Sequence, residues 1–284
     1  MRKVIVLLLL LLLLAGCAAA EDYVNPIRVY NSAGQTSDAA DNFVLRYNGR
    51  YYLYNFSEVN GRCYVSDDLV HWSEQEMVRL GDEGCGCIWA PDIIFDPVHE
   101  DYVLHWSYCQ ADNNYGPMAI YYSRTKDFVN YTKPELLYRK EDSGCIDSAM
   151  YEEDGKYYLF VKSEKNPATM IELVSDHVTG PWTRVEKFDE SMQKAVQMGL
   201  YEAPTAVRLD DGRWCLFIDY YGVKGAGQGY VPFVAPSMKS GEFVRSDAKF
   251  HFPYGFKHGT LLTITEEEYD RMKAHDWNNV PDKR

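Results

Sequence analysis

The chain has 284 residues, 46% of them apolar, and carries 42 acidic against 29 basic side chains, a net charge of −13. That balance repels nucleic acid and anionic polymers such as polyuronates, and it favours a neutral partner. The length suits one all-β domain, and no Pro/Ser-rich linker divides it.

Residues 1–16 read as a secretory signal: Arg2 and Lys3 supply a basic start, and Val4 to Leu14 form the apolar run. The run ends in "LAGC", Leu14 to Cys17, which resembles the bacterial lipobox and implies lipidation at Cys17. The plainer alternative is an unlipidated signal with an incidental Cys. Under the lipobox reading, 17–22 form a short tether and 23–284 a single domain. No later apolar run approaches the length of a spanning helix, so the lipid tethers the chain to the cell envelope, at the outer membrane, facing the periplasm or the exterior. Glu21 and Asp22, by resemblance to surface lipoproteins, favour the exterior.

The next feature along the chain is self-similarity. "DNFVLRYNGRYYLYNF" at 41, "DIIFDPVHEDYVLHWS" at 92, "SAMYEEDGKYYLFVKS" at 148 and "TAVRLDDGRWCLFIDY" at 205 each read as a β-hairpin. Asn48-Gly49, Asp154-Gly155 and Asp211-Gly212 are tight-turn dipeptides in three of them. Downstream, "SDDLVHW" (66–72), "SRTKDFVNY" (123–131) and "SDHVTGPW" (175–182) read as turns between outer strands. Repetition every fifty-odd residues with about four strands per unit predicts a β-propeller.

The unit starts fall at Asp41, Ala90, Ile146, Glu202 and His258, which predicts five blades. Few residues follow His258, so the segment 23–30 is expected to supply a strand of the last blade. Thr265 and Glu268 form a capping-box pair, predicting a short C-terminal helix over 266–274. Residues 189–199 are expected to make one or two helical turns in a loop over a ring entrance.

In a propeller the first strands of successive blades converge on one axis. The repeat therefore brings Asp41, Asp92 or Trp89, Asp147, Glu202 and His258 together. Glu202 lies between Tyr201 and Ala203-Pro204, apolar neighbours of the kind that raise a carboxyl pKa, and Asp147 on the adjacent blade adds negative charge. Opposite walls of a channel also hold two carboxyls apart with room for a water between them.

Asp41, "WAPD" (89–92), "ID" (146–147), "EAP" (202–204) and "HG" (258–259), in this order and at this period, resemble the pattern of glycoside hydrolase family 43, a family of five-bladed propellers. The resemblance covers residues 38–272. It implies an inverting glycosidase in which Asp41 is the general base, Glu202 the general acid and Asp147 the group that orients Glu202 and raises its pKa. Asn42 stands where the family usually has Pro, and Asp38 competes with Asp41 for the role of base. The resemblance also implies a channel His at 258, which in relatives often faces a calcium ion; the alternative is a His packed in the ring centre without metal. No cofactor is required.

Sugar sites use aromatic faces, and Phe43, Trp89, Trp106 and Tyr201 are the candidates beside His258 for binding substrate. The aromatic pairs starting at 51, 157 and 214 alternate mid-hairpin and read as core. Six cysteines, Cys63, Cys85, Cys87, Cys109, Cys145 and Cys215, admit fifteen pairings, and the sequence does not choose. "CGC" at 85–87 lacks the partners of a zinc site, so disulfide or free thiols come ahead of metal.

The expected activity is exo-acting release of a terminal pentose, α-L-arabinofuranose foremost, from a neutral plant-type oligosaccharide or polysaccharide. A β-xylosidase, a galactan-degrading enzyme and a non-catalytic glycan-binding propeller are the alternatives.

Overall fold

The structure is a computed structural model that describes residues 29–30, 36–37, 41–57, 60–73, 76–81, 84–111, 117–195, 200–221, 229–246 and 258–275. The signal and Cys17 lie outside them, as does Asp38. Among the described residues no helix is long and apolar enough to cross a membrane.

A two-stranded pair, β1 (Val29–Tyr30) with β2 (Thr36–Ser37), precedes four antiparallel four-stranded sheets. Blade one is β3 (Asn42–Tyr47), β4 (Arg50–Ser57), β5 (Asn60–Ser66) and β6 (Glu76–Val78). Blade two is β7 (Cys85–Asp96), β8 (Asp101–Gln110), β9 (Ala119–Thr125) and β10 (Glu135–Tyr138). Blade three runs through β11 (Cys145–Glu153), β12 (Lys156–Ser163), β13 (Met170–Ser175) and β14 (Thr183–Arg184), and blade four through β15 (Tyr201–Arg208), β16 (Trp214–Tyr220), β17 (Gly229–Ala235) and β18 (Val244–Arg245). Strands neighbour one another in chain order within every blade.

The local chemistry explains the strand pairing. Asn48-Gly49 and Asp154-Gly155 have positive φ at both positions (49° and 77°, 53° and 76°), the backbone of the turn that matches strand twist. The turns between outer strands are built on paired caps. Ser66 Oγ accepts from the Asp68 and Leu69 N–H groups, and Asp68 Oδ1 accepts from those of Val70 and His71. Thr125 and Asp127 repeat the arrangement in blade two, so that turn begins at Thr125 and not at Ser123.

Between the sheets lie the cores. Tyr54, Phe56, Ile88, Leu104 and Trp106 fill the space between blades one and two; Phe160, Tyr201, Leu216 and Phe233 fill that between three and four. Tyr51, Tyr157 and Trp214 are buried, as their alternation predicts. Glu153 ties blade three to blade four: Oε1 accepts from Trp214 Nε1 at 2.7 Å and Oε2 from the Met238 N–H at 2.7 Å.

Two expectations change. The described residues form four blades, not five. Val29–Tyr30 pairs with β2, and no strand is present over 258–265. That segment instead fills the space between blades four and one. Thr260 Oγ1 donates to the Asn42 carbonyl and accepts from the Val44 N–H, while Leu261 packs on Cys215, Phe217 and Tyr230. A chain that must enter a helix at residue 266 is too short there for a sheet of its own.

The second change concerns residues 189–199. A ten-residue helix, α1 (Glu186–Ala195), begins earlier and buries Phe188 and Met192 in the core between blades three and four. It packs on the outer strands β13 and β18, and residues 196–199 lie outside the described residues. The C-terminal helix α2 (Glu266–Ala274) has the expected capping box, and Glu268 also accepts a hydrogen bond from the Tyr51 hydroxyl, docking α2 on blade one.

Candidate active site

Each blade head carries a kink that no glycine announces. Asp41 (φ 58°), Ala90 (53°), Asp147 (50°), Ala203 (53°) and His258 (39°) all lie in the left-handed region. For residues with a Cβ this conformation costs on the order of 1–2 kcal/mol each, so the surroundings must hold it. At Ala90 and Ala203 the following Pro91 and Pro204 disfavour the right-handed helical region for the residue before them. The ladder shifts register across the same points in blades two, three and four.

The kinks aim side chains of different blades at one another. His258 Nδ1 and Asp41 Oδ1 are 2.7 Å apart, and the two side chains are 18% and 24% exposed. The other Asp41 oxygen has no hydrogen-bond partner among the described residues. The His258 N–H donates to Asp219 Oδ1 at 3.3 Å, and Asp219 lies directly across the ladder from Glu202. Asp147 is 5% exposed; its Oδ2 accepts from the Ala203 N–H at 3.2 Å, on the residue after Glu202. Its own N–H donates to Ser107 Oγ at 2.8 Å, and Ser148 Oγ lies 2.7 Å from His105 Nδ1.

The electrostatics tie these groups into one cluster. Burial is the largest influence on Asp147 and raises its pKa; His258 pulls the other way, Asp41 and Glu202 add to the rise, and the result is about 6. Burial disfavours the charged form of His258, but the carboxylates of Asp147 and Asp41 outweigh it and lift the pKa to about 9. His258 is therefore a cation at neutral pH. Asp92 is buried and its pKa raised well above the usual range by desolvation, against N–H bonds from Ile93 and Met150. It acts as a strut from blade two to blade three.

The His258 imidazole is positively charged, its Nδ1 is engaged by Asp41, and among the described residues no group of three or more His, Cys, Asp or Glu side chains is arranged for a metal.

The aromatic candidates divide. Trp89 is 36% exposed and lies across the ladder from Ser107, whose hydroxyl holds Asp147. It is an exposed aromatic on the same face of the ladder as Ser107. Phe43 is partly buried and packs on the core between blades one and two. Trp106 and Tyr201 are corrections: at 0% and 2% exposure neither can stack on a sugar. Strand alternation is the reason. His105 and Ser107 face blade three, so Trp106 points into the opposite core, where it meets Phe56. Tyr201 faces away from its neighbour Glu202, against Tyr220 and Phe233.

Several contributors escaped the sequence reading. Ser107 and Asp219 lie on second strands, and only the ladder register, opposite Trp89 and Glu202, reveals them. The Tyr230 hydroxyl accepts from the Gly259 N–H and donates to its carbonyl, clamping the residue after His258. Lys162 is buried, donates to the Tyr221 hydroxyl at 2.8 Å and pulls the Asp147 pKa down.

The sign of the pH dependence follows. A pKa raised on folding, from 6.5 to about 9 for His258, supplies stability that is complete below about pH 6.5 and fades as pH rises through 9. The contribution is on the order of 3 kcal/mol. Asp147, raised from 3.8 to about 6, has the same sign over about pH 4–6. Thermal midpoints measured from pH 6.5 to 9.5 should fall, and His258→Gln should flatten that limb; a wild-type midpoint that climbs over this window contradicts the pairing.

Comparison with known proteins places this geometry among carbohydrate-active folds. Residues 59–270 match a family model described as a probable glycosyl hydrolase domain, related to glycoside hydrolase family 43. An α-L-arabinofuranosidase of Bifidobacterium longum is 27% identical over 177 residues, covering 49% of this chain and 16% of that protein. The chain thus spans about a sixth of the length of the curated relative it matches. Among solved structures, a thermostable family-43 glycoside hydrolase aligns with TM-score 0.58 at 17% identity, covering 78% of each chain. An exo-β-1,3-galactanase from Phanerochaete chrysosporium aligns with TM-score 0.59 at 20% identity, covering 79% of this chain and 53% of that one.

Proposed function

The chain belongs to the glycosyl hydrolase family related to glycoside hydrolase family 43, and from that premise we propose that it is an inverting exo-glycosidase with Asp41 as general base, Glu202 as general acid and Asp147 as positioning group. The observation that carries the reading is the His258–Asp41 pair at 2.7 Å beside Asp147, with Glu202 within electrostatic reach. These side chains come from three blade heads and from the segment that follows blade four.

The chemistry runs as follows. The His258 cation holds one oxygen of Asp41 and leaves the other to take a proton from water as that water attacks the anomeric carbon. Glu202 delivers a proton to the departing glycosidic oxygen. Asp147 fixes the backbone after Glu202 through the Ala203 N–H and so sets where the acid points. Trp89 offers the apolar face of its ring to the sugar. The 258–265 segment, which carries His258, lies between blades four and one.

The substrate in this reading is a terminal α-L-arabinofuranose on a neutral plant polysaccharide, which the arabinofuranosidase relative supports. A second reading, removal of galactose from a galactan, draws support from the galactanase fold neighbour. A panel of aryl pentosides and galactosides with arabinan, xylan and β-1,3-galactan separates them. Release of arabinose alone supports the first, galactose alone the second; tight glycan binding without any release makes the chain a binding protein.

We also propose, from the lipobox-like "LAGC", that Cys17 carries a lipid anchor at the outer membrane. The full-length protein should partition into a detergent phase and Cys17→Ser should move to the aqueous phase; equal partitioning of the two would remove the anchor.

A further inference from the structure

The six cysteines of the described chain are unequal in one respect. Cys87 on β7 and Cys109 on β8 are direct ladder partners, their sulfurs 2.7 Å apart, both side chains buried. Directly opposed residues of an antiparallel pair have Cα atoms ~4.5–5.5 Å apart, inside the ~4.4–6.8 Å window of a disulfide. On their ladders the other cysteines face residues of other types. Cys63 opposes Tyr54 and Glu76, Cys85 opposes Gln110, Cys145 opposes Ser163, and Cys215 opposes Val207 and Val234. Among the bonds these cysteines could form, the fold makes Cys87–Cys109 geometrically ready.

We propose that Cys87 and Cys109 form a disulfide, which fixes the β7–β8 register at the active-site wall. Cys87 is two residues before Trp89 and three before the left-handed Ala90, and Cys109 is two residues after Ser107, which holds the Asp147 backbone. A bond here pins both strands at the point where they carry the exposed indole and the Asp147 support.

The oxidant is a disulfide donor, either a protein thiol–disulfide oxidase or a small disulfide. One Cys thiolate attacks the donor and expels a thiolate; the second Cys thiolate then attacks the mixed disulfide and expels the other half of the donor. Two thiols give up two protons and two electrons, and the donor leaves as two thiols. Burial pushes the Cys87 thiol pKa far up in the folded state. Thiolate attack is therefore favoured early, before blade three covers that face of the hairpin.

The test is the intact mass of the full chain after refolding in glutathione disulfide buffer, denatured without reductant and alkylated, beside a reduced sample. The expected result is a loss of two alkylatable thiols, that loss being kept in Cys85→Ser and abolished in Cys87→Ser and in Cys109→Ser. Should the single variants fail to fold, Asp-specific cleavage of the unreduced Cys85→Ser protein reads the same bond, because Asp92 and Asp96 separate the two cysteines. A full count of alkylated thiols in the refolded wild type, or a two-thiol loss that survives in Cys109→Ser, overturns the proposal. This test is independent of whether any glycan is hydrolysed.

Discussion

Glu202→Gln is expected to lower turnover of a natural oligosaccharide by about 10²–10⁴-fold while leaving the protein folded. The amide keeps the size and the cross-strand position opposite Asp219 but has no proton to give at the carboxyl. The loss should depend on the leaving group. An alkoxide of a sugar needs protonation to depart, whereas a nitrophenolate does not, so an aryl glycoside should keep most of its rate. Rates on both substrate types at one pH check this. Equal survival of both would remove Glu202 as the acid, and equal loss of both would point to a role in binding.

Asp41→Asn is expected to lose about 10²–10⁴-fold on both substrate types, because water attacks in either case and needs its proton removed. The substitution also weakens the hold on His258, whose high pKa rests on Asp147 and Asp41. A mild loss of thermal stability at pH 6–7 should therefore accompany the kinetic loss. Azide needs no general base, so adding it to Asp41→Ala should restore turnover of an aryl glycoside and give a glycosyl azide. An unchanged rate in Asp41→Asn would transfer the role to Asp38.

How much of this was legible in the chain depends on the kind of information. Hairpins at Asn48-Gly49 and Asp154-Gly155, the period of the blade heads and the capping box at Thr265 are local patterns, and the structure contains them. The period also brings Asp41, Asp147, Glu202 and His258 within mutual reach, because repeated units around an axis convert sequence spacing into proximity. Which face a side chain takes was less legible. A strand alternates, so a kink of one residue at a blade head changes what its neighbours point at. Tyr201 adjoins Glu202 in sequence yet belongs to the core, and Trp106 is fully buried although aromatic residues also line sugar sites.

The left-handed heads left only a faint trace. Ala-Pro at 90–91 and 203–204 hints at a restricted backbone, but nothing in the residue types of Asp41, Asp147 or His258 announces a positive φ. Those three are held by contacts from other strands, the Ser107 hydroxyl on the Asp147 N–H and the Asp219 carboxylate on the His258 N–H among them. Such contacts join residues roughly forty positions apart and are invisible to a local pattern. The last blade was misread for a related reason. A period predicts where a unit begins but not that a strand follows, and here residues 258–265 form no strand before α2.

The central claim is that Asp41 and Glu202 cleave a glycosidic bond by a single displacement with water. Proton NMR of the anomeric region during the first minutes of hydrolysis, on whichever glycoside of the panel is cleaved, tests it most directly. The account predicts that the first sugar released has the anomeric configuration opposite to that of the bond broken, before mutarotation mixes the forms. Release with the same configuration would require a covalent glycosyl-enzyme step and would contradict the assignment of Asp41 as a base that activates water.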